Sequence, residues 1–202
     1  MRKSVIRTSL MPFMTILAVC ALAASALADV EALTEKDPPT KVLLKKTEPR
    51  SVAAMRHTGP FEEIPATVMK LTGLISAGGY DMTGPLMTVY YDSPEEVAGD
   101  QLRWEVWMPV AFPGQMKRVE DDQMGFRHID PMFVAYTFHI GSYDGLPGAY
   151  KVLSDWAEVN KYKITGPPVE VYWSDPMTVP EEKLVTELWF PVEEKRIPGV
   201  AN

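Results

Sequence analysis

The sequence contains little cysteine, little histidine and fewer basic than acidic residues. Of its 202 residues, one is Cys, three are His, and 20 Lys or Arg stand against 27 Asp or Glu, which gives a formal net charge of −7. Binding to nucleic acid phosphates needs clustered basic side chains, so this composition argues against a nucleic acid partner. HExxH, GxSxG, a phosphate-binding glycine loop and metal-type spacing of paired Asp or Glu are also absent, so neither a metal nor a cofactor is expected.

The remaining composition is that of a globular protein. Apolar residues make up 46% of the chain and charged residues 23%. The length suffices for one or two domains whose core needs no metal or disulfide. Eighteen prolines favour many short elements joined by firm turns over a long helical bundle.

Residues 1–28 have the pattern of a secretory signal peptide. A basic start is followed by an apolar stretch from Met11 to Leu27, which closes in Ala26-Leu27-Ala28, the small-x-small pattern of a cleavage site. Cleavage after Ala28 would place the mature protein in the periplasm or outside the cell. We then expect no stable association with a membrane.

Two alternatives to cleavage remain open: an uncleaved membrane anchor, and lipidation at Cys20, where the preceding Val19 departs from the usual small residue. Cleavage removes three basic residues and no acidic ones, so the net charge moves from −7 to −10. It also removes the only cysteine, so the mature chain could form no disulfide and no cysteine-ligated zinc site.

Beyond a short N-terminal segment (29–40), the chain repeats itself at an offset of 82 residues. Without a gap, 20 of the 62 positions from 49 to 110 are identical to the residue 82 positions later. Tyr80 and Thr83-Gly84-Pro85, for example, return as Tyr162 and Thr165-Gly166-Pro167. Self-similarity at a fixed period indicates a duplicated structural unit.

Each copy has the same predicted elements, in the order strand, helix, strand, strand. The predicted strands are 52–57, 87–91 and 103–110 in the first copy and 134–139, 169–173 and 185–192 in the second, and the predicted helices are 61–76 and 143–159. The first repeat covers about 41–110 and the second about 126–192, with a linker at 111–125 and a tail at 193–202. We expect an α+β fold in which a pseudo-twofold axis relates the two modules around a central cleft.

The strand faces suggest what lines this cleft, because residues two apart in a strand share a face. We expect the more apolar face of each strand to pack on its helix and the other face to border the cleft. The cleft would be walled by Tyr90, Trp107, Tyr172 and Trp189, with Glu105, Glu170 and Glu187 among them. Aromatic walls and a partly buried carboxylate favour a flat or cationic organic ligand. Alternatively, the aromatic residues only pack between the modules and the glutamates pair with Arg.

The repeat separates the three glutamates. Glu105 and Glu187 occupy equivalent positions, so they can serve something that both copies need. Glu170 has Thr88 as its counterpart, and an acid present in one copy only suits a single asymmetric ligand. Glu170 is therefore the first choice as ligand carboxylate or as catalytic general acid or base, and Glu187 is the second. His57 and His139 are also equivalent and precede a glycine, which is typical of turn residues.

At these residues the chain resembles the GyrI-like (gyrase-inhibitor-like) effector-binding domain family over about 40–192. The points of resemblance are Arg56-His57-Thr58-Gly59-Pro60-Phe61, Tyr90-Tyr91-Asp92-Ser93-Pro94, Glu170-Val171-Tyr172 with Asp175-Pro176, and Thr186-Glu187-Leu188-Trp189-Phe190-Pro191-Val192. The resemblance implies two strand-helix-strand-strand repeats around a cleft that binds hydrophobic, often cationic, small molecules. The glutamate of the family's Glu-x-Tyr pattern corresponds to Glu170.

The resemblance leaves the exact function open. Some members of the family are sensor domains of multidrug-responsive transcription activators, but this chain has no helix-turn-helix region and carries an export signal. Other stand-alone members hydrolyse cyclopropane-bearing toxins with a pocket glutamate. We expect an exported protein that binds a hydrophobic, aromatic or cationic small molecule, with a hydrolase of such toxins as the alternative. A SOUL-like haem-binding protein, suggested by Met82-Thr83-Gly84-Pro85, and a purely structural partner protein are further alternatives.

Overall fold

The computed structural model of the protein describes residues 41–111 and 124–195. The predicted signal peptide, the segment 29–40 and most of the linker and tail lie outside the described residues. Within the described part, ten strands and two helices form an α+β fold, as predicted. The strands are β1 (Leu43–Lys46), β2 (Arg50–Thr58), β3 (Asp81–Met82), β4 (Leu86–Tyr90), β5 (Arg103–Ala111), β6 (Met124–Ile129), β7 (Phe133–Ile140), β8 (Tyr162–Ile164), β9 (Val169–Tyr172) and β10 (Val185–Glu194).

The two helices are α1 (Ile64–Gly78) and α2 (Leu146–Val159), and they occupy equivalent places in the two repeats. A short 3-10 turn precedes each helix, and a proline in the first turn of each has no free N–H to leave unpaired there. Gly79 ends α1 in the left-handed conformation, with φ 72°, which glycine adopts without steric cost. Among the described residues, no helix is long and apolar enough to cross a membrane.

All strand pairs in the sheet are antiparallel, and the two repeats meet where β4 pairs with β9. In this pair Thr88 lies directly opposite Glu170. These two residues are also equivalent at the 82-residue offset, so the pseudo-twofold axis passes between them. The pair in which one repeat has a threonine and the other a buried carboxylate therefore lies on the symmetry axis itself.

The repeats are joined a second time because each gives its first strand to the other. β1 of the first repeat pairs with β7, and β6 of the second repeat pairs with β2. The two ladders have the same register. Two hydrogen bonds connect them: Thr47 N donates to Met132 O at 2.8 Å, and Met132 N donates to Thr47 Oγ1 at 2.9 Å. The ladder is thus continuous across the two bends at Pro49 and Pro131, and the sheet closes on itself as a barrel.

Closure gives the sheet an inner face and an outer face. The barrel interior consists of Val52, Ala54, Met87, Val89, Trp107, Val134, Val169, Val171 and Trp189. On the outer face, α1 packs over Trp104, Val106 and Met108, and α2 packs over Leu188 and Phe190. The predicted faces of β5 and β10 are therefore confirmed.

The predicted faces of β4 and β9 are wrong. Met87 and Val89, which were expected to pack on the helix, fill the barrel interior, and Val169 and Val171 do the same in the second repeat. The reason is that β4 and β9 lie on the axis between the two helices, so their apolar side chains are buried only on the inner face.

The predicted elements agree with the observed ones to within two residues at each end, if the 3-10 turns are counted with the helices. Four strands were not predicted: β1, β6, β3 and β8. The predicted linker also overlaps the sheet, since β5 ends at Ala111 and β6 begins at Met124, and β10 extends to Glu194 within the segment assigned to the tail.

Because the barrel uses strands of both repeats, we expect the two repeats to unfold together. Leu71 of α1 and Leu153 of α2 are equivalent and fully buried. Leu71→Ala and Leu153→Ala should each lower the free energy of unfolding by about 2–5 kcal/mol and shift one shared transition. Urea denaturation followed by both tryptophan fluorescence and circular dichroism measures this. Two separate transitions in either variant, one of them at the wild-type midpoint, would contradict the closed barrel.

Candidate functional site

A groove runs between α1 and α2 over the outer face of β4 and β9. Its volume is about 1710 Å³, which exceeds the roughly 300–1,000 Å³ of most small-molecule sites. Its two walls are equivalent parts of the repeats, with Ile64, Pro65 and Val68 on one side and Leu146, Pro147 and Tyr150 on the other. The strands contribute Leu86, Tyr90, Glu170 and Tyr172 to the lining. The groove is open to solvent along its length and mostly apolar.

Glu170 is the buried charge of this groove, with 5% of its surface exposed. Tyr90 and Tyr172 donate their hydroxyl hydrogens to Oε2 at 2.9 and 2.6 Å, and Tyr150 donates to Oε1 at 2.9 Å. The hydroxyls of Tyr90 and Tyr172 also lie 3.0 Å apart. The carboxylate is thus fixed by side chains from β4, β9 and α2.

Burial raises the pKa of Glu170 above its ordinary value, because removal from water disfavours the charged form. The hydrogen bonds from Tyr172, Tyr150 and Tyr90, and to a smaller extent the charge of His139, act in the opposite direction and only partly offset this effect on the pKa. Burial next to this carboxylate in turn raises the pKa of all three tyrosines, so each hydroxyl keeps its proton and remains a donor.

Three of the seven residues predicted to line one cleft meet in the groove: Tyr90, Glu170 and Tyr172. The other four do not. Glu105, Trp107, Glu187 and Trp189 point to the inner face of the barrel, since they alternate with residues that pack under the helices. A single cleft lined by all seven residues is therefore wrong.

The two glutamates of the inner face are paired with basic residues. Arg56 Nε donates to Glu105 at 2.6 Å and Arg127 forms a second ion pair with it at 3.0 Å, while Lys45 pairs with Glu187. Lys45 and Arg127 are equivalent residues of the exchanged strands, so each repeat supplies a cation to the glutamate of the other. Trp107 and Trp173 donate their indole hydrogens to these two carboxylates at 2.7 and 3.0 Å. The alternative expectation, that the glutamates pair with Arg, describes Glu105, whereas Glu187 pairs with a lysine.

Tyr150 is the site residue that the strand patterns could not reveal, because it lies on α2. Its counterpart in α1 is Val68. Comparing equivalent residues of the two repeats, which distinguished Glu170 from Thr88, would have identified Tyr150 too, since only the second repeat has a hydroxyl at this position. The histidines stay outside the groove: His57 contacts Glu63, and His139 Nε2 lies 2.7 Å from Ser142 O.

The raised pKa of Glu170 predicts that its charge destabilises the folded protein. The folded state resists ionisation that the unfolded chain accepts, so the penalty exists above the raised pKa and vanishes below about pH 4, the ordinary glutamate range. Glu170→Gln should therefore increase the free energy of unfolding at pH 7, and the gain should disappear towards pH 4. Urea denaturation of both proteins between pH 4 and 8 measures the difference.

Glu105→Gln is the matched control with the opposite sign. Burial alone would raise the pKa of Glu105, but hydrogen bonds from Trp107 and Arg56 and the charge of Arg127 outweigh it and lower the pKa. Glu105→Gln should thus lose stability at pH 7 and approach the wild type as the pH falls. The interpretation is overturned if both variants lose stability with the same pH dependence.

Comparisons with known proteins agree with this architecture. The model of the GyrI-like small molecule binding domain matches residues 40–193. No curated protein matches the sequence significantly. The crystal structure of the EcmrR C-terminal domain is similar with a TM-score of 0.68 and 24% identity, over 77% of this chain and 98% of that one.

Two proteins from Listeria innocua share the fold at lower identity. An uncharacterized conserved protein has a TM-score of 0.62 and 14% identity, and a protein described as a hydrolase has a TM-score of 0.57 and 15% identity. Each comparison covers 81% of this chain and 97% of the other. At such identities the likeness shows the fold alone. The family match covers most of the chain, and the chain therefore belongs to the GyrI-like small molecule binding domain family.

Proposed function

We propose that this protein binds a hydrophobic small molecule with a cationic group in the groove, and that Glu170 is the counter-charge of that cation. The observation that carries the proposal is the contrast among the three buried glutamates. Glu105 and Glu187 each pair with a basic side chain, whereas Glu170 is held by three neutral hydroxyls. A buried charge is costly, and a cationic ligand would offset that cost.

The hydrogen bonds of Glu170 narrow the kind of cation. A carboxylate offers about four acceptor positions, and the tyrosines occupy three of them. A primary ammonium group would compete with the tyrosines for these positions. A quaternary ammonium, a phosphonium or a delocalised aromatic cation needs no acceptor, and the rings of Tyr90 and Tyr172 offer cation–π contacts.

We also propose that the protein works outside the cytoplasm, in the periplasm or as a secreted protein. The support is the sequence alone: the basic start, the apolar stretch 11–27 and the cleavage pattern at Ala28. Sequestering or sensing a hydrophobic compound in that compartment fits a small-molecule binding domain.

Titration with tetraphenylphosphonium tests the binding proposal, with triphenylphosphine oxide as the neutral analogue. Trp173 lines the groove, so its fluorescence should change saturably with the cation. Glu170→Gln should weaken binding about 10–100-fold, as expected for the loss of one buried charge interaction. The affinity of the wild type should increase with pH as Glu170 ionises.

Glu187→Gln provides the control, because it changes an equally buried strand glutamate on the inner face and should leave the affinity unchanged. Since Glu187 accepts a hydrogen bond from the reporter Trp173, the affinities of both variants are measured by calorimetry. Equal affinity for the cation and the neutral analogue, or equal loss in both variants, would refute Glu170 as the counter-charge. A flat response across the wild-type titration would favour a purely structural role for the groove.

Hydrolysis of a strained electrophile is the second candidate function. The observation that favours it is a buried carboxylate with a raised pKa beside three tyrosine hydroxyls. Glu170 would accept a proton from water while the water oxygen bonds to the electrophilic carbon. The strained ring bond would break with its electron pair going to the departing carbon, which would then take the proton from Glu170. Product formation from a cyclopropane-bearing alkylating compound, lost in Glu170→Gln, would distinguish this enzyme from a binding protein. The haem-binding alternative gains no support, because no described histidine lines the groove.

A further inference from the structure

The duplication supplies an internal control for every position of the groove. Because both repeats build the same backbone, a difference between equivalent side chains is not required by the fold. On α1, α2, the 3-10 turns that precede them and strands β4 and β9, the pairs that differ in polarity at or beside the groove are Phe61 and Tyr143, Val68 and Tyr150, Met69 and Lys151, and Thr88 and Glu170.

All four differences have the same direction. In each pair the second repeat carries the additional hydroxyl or the charge, and the first repeat carries the less polar side chain. The half of the groove along α2 therefore holds the carboxylate and its donor Tyr150. The half along α1 presents an aromatic ring, a valine and a methionine that is 69% exposed, although nothing in the helix requires an apolar residue there.

We propose that the groove holds its ligand in one orientation, with the cationic head beside Glu170 and an apolar tail along Phe61, Val68 and Met69 of the first repeat. This inference rests on the proposed function and narrows its ligand class to elongated amphiphilic cations with a single charged head. A compact, symmetric cation would use only the α2 half. A tail along α1 also accounts for an exposed methionine at the rim, since flexible thioether side chains adapt to alkyl chains.

The loops that follow β4 and β9 differ in charge in the opposite direction, because the first repeat lines the groove with three acids there (Asp92, Glu95 and Glu96) and the second repeat with one (Asp175). Glu95 and Glu96 lie at the rim near the first repeat, where the second repeat has Met177 and Thr178. Both acids are exposed, so water and salt screen their charges, and they can attract a cation without fixing its bound position. If Glu95 and Glu96 instead bound a second cationic group of the ligand, the ligand would be a dication, and the test below distinguishes this case.

A series of alkyltrimethylammonium ions from butyl to dodecyl, kept below their micelle concentrations, tests the orientation by calorimetry. The affinity of the wild type should increase about threefold to fourfold per added methylene until the tail fills the α1 half. Val68→Thr/Met69→Gln should bind the dodecyl ion about tenfold more weakly and the butyl ion as well as the wild type does. Met69→Gln alone changes an exposed side chain and keeps the test valid if the double variant misfolds.

Lys151→Gln is the matched control, because it places the same residue at the equivalent position of α2, and it should leave the chain-length dependence unchanged. Glu170→Gln should weaken the whole series by a similar factor. Binding that depends on Glu170 but not on Val68 and Met69 would overturn the orientation and leave the proposed function intact. Binding that ignores Glu170 would overturn the proposed function. Tighter binding of decane-1,10-bis(trimethylammonium) than of decyltrimethylammonium would replace the single-headed class with dications.

Discussion

The antiparallel pairing of β4 with β9 on the pseudo-twofold axis is the constraint on which the groove depends. It joins the two repeats at their centre, keeps α1 and α2 apart and leaves the outer face of these two strands without a helix to cover it. The exchanged strands β1 and β6 close the barrel on the far side, so the interior fills with Val, Met and Trp. The groove is therefore a consequence of duplication, and its buried carboxylate lies where the two copies face each other.

Three buried glutamates show how the same side chain serves different ends in one fold. Glu105 and Glu187 are compensated by cations that cross between the repeats, and they hold the exchanged strands in place. Ionisation of Glu170 costs stability, because hydroxyls only partly compensate for burial. Such an uncompensated group is typical of binding and catalytic sites, where stability is given up for interaction with a ligand.

Much of the fold was predictable, because each weak strand or helix pattern of the first repeat occurs again 82 residues later and the two occurrences support each other. Alternating polarity and glycine or proline boundaries predict strands β2, β5, β7 and β10. Apolar residues at helical spacing predict both helices. The exchange of β1 and β6 was not predictable, since no local pattern records which copy a strand pairs with. The site was only half predictable: alternation shows which residues share a face of one strand, but not which face of β4 or β9 the helices leave open. Glu170 was found because symmetry, rather than strand pattern, singled it out.

The most direct test of this account is the pKa of Glu170 in the free protein and in the protein saturated with tetraphenylphosphonium, followed by carboxyl carbon NMR with the Glu170→Gln spectrum for assignment. The account predicts a pKa above the ordinary glutamate value in the free protein and a clear decrease when the cation binds, because the bound charge favours the ionised form. An unchanged pKa on saturation would contradict it, since the cation would then lie away from the carboxylate.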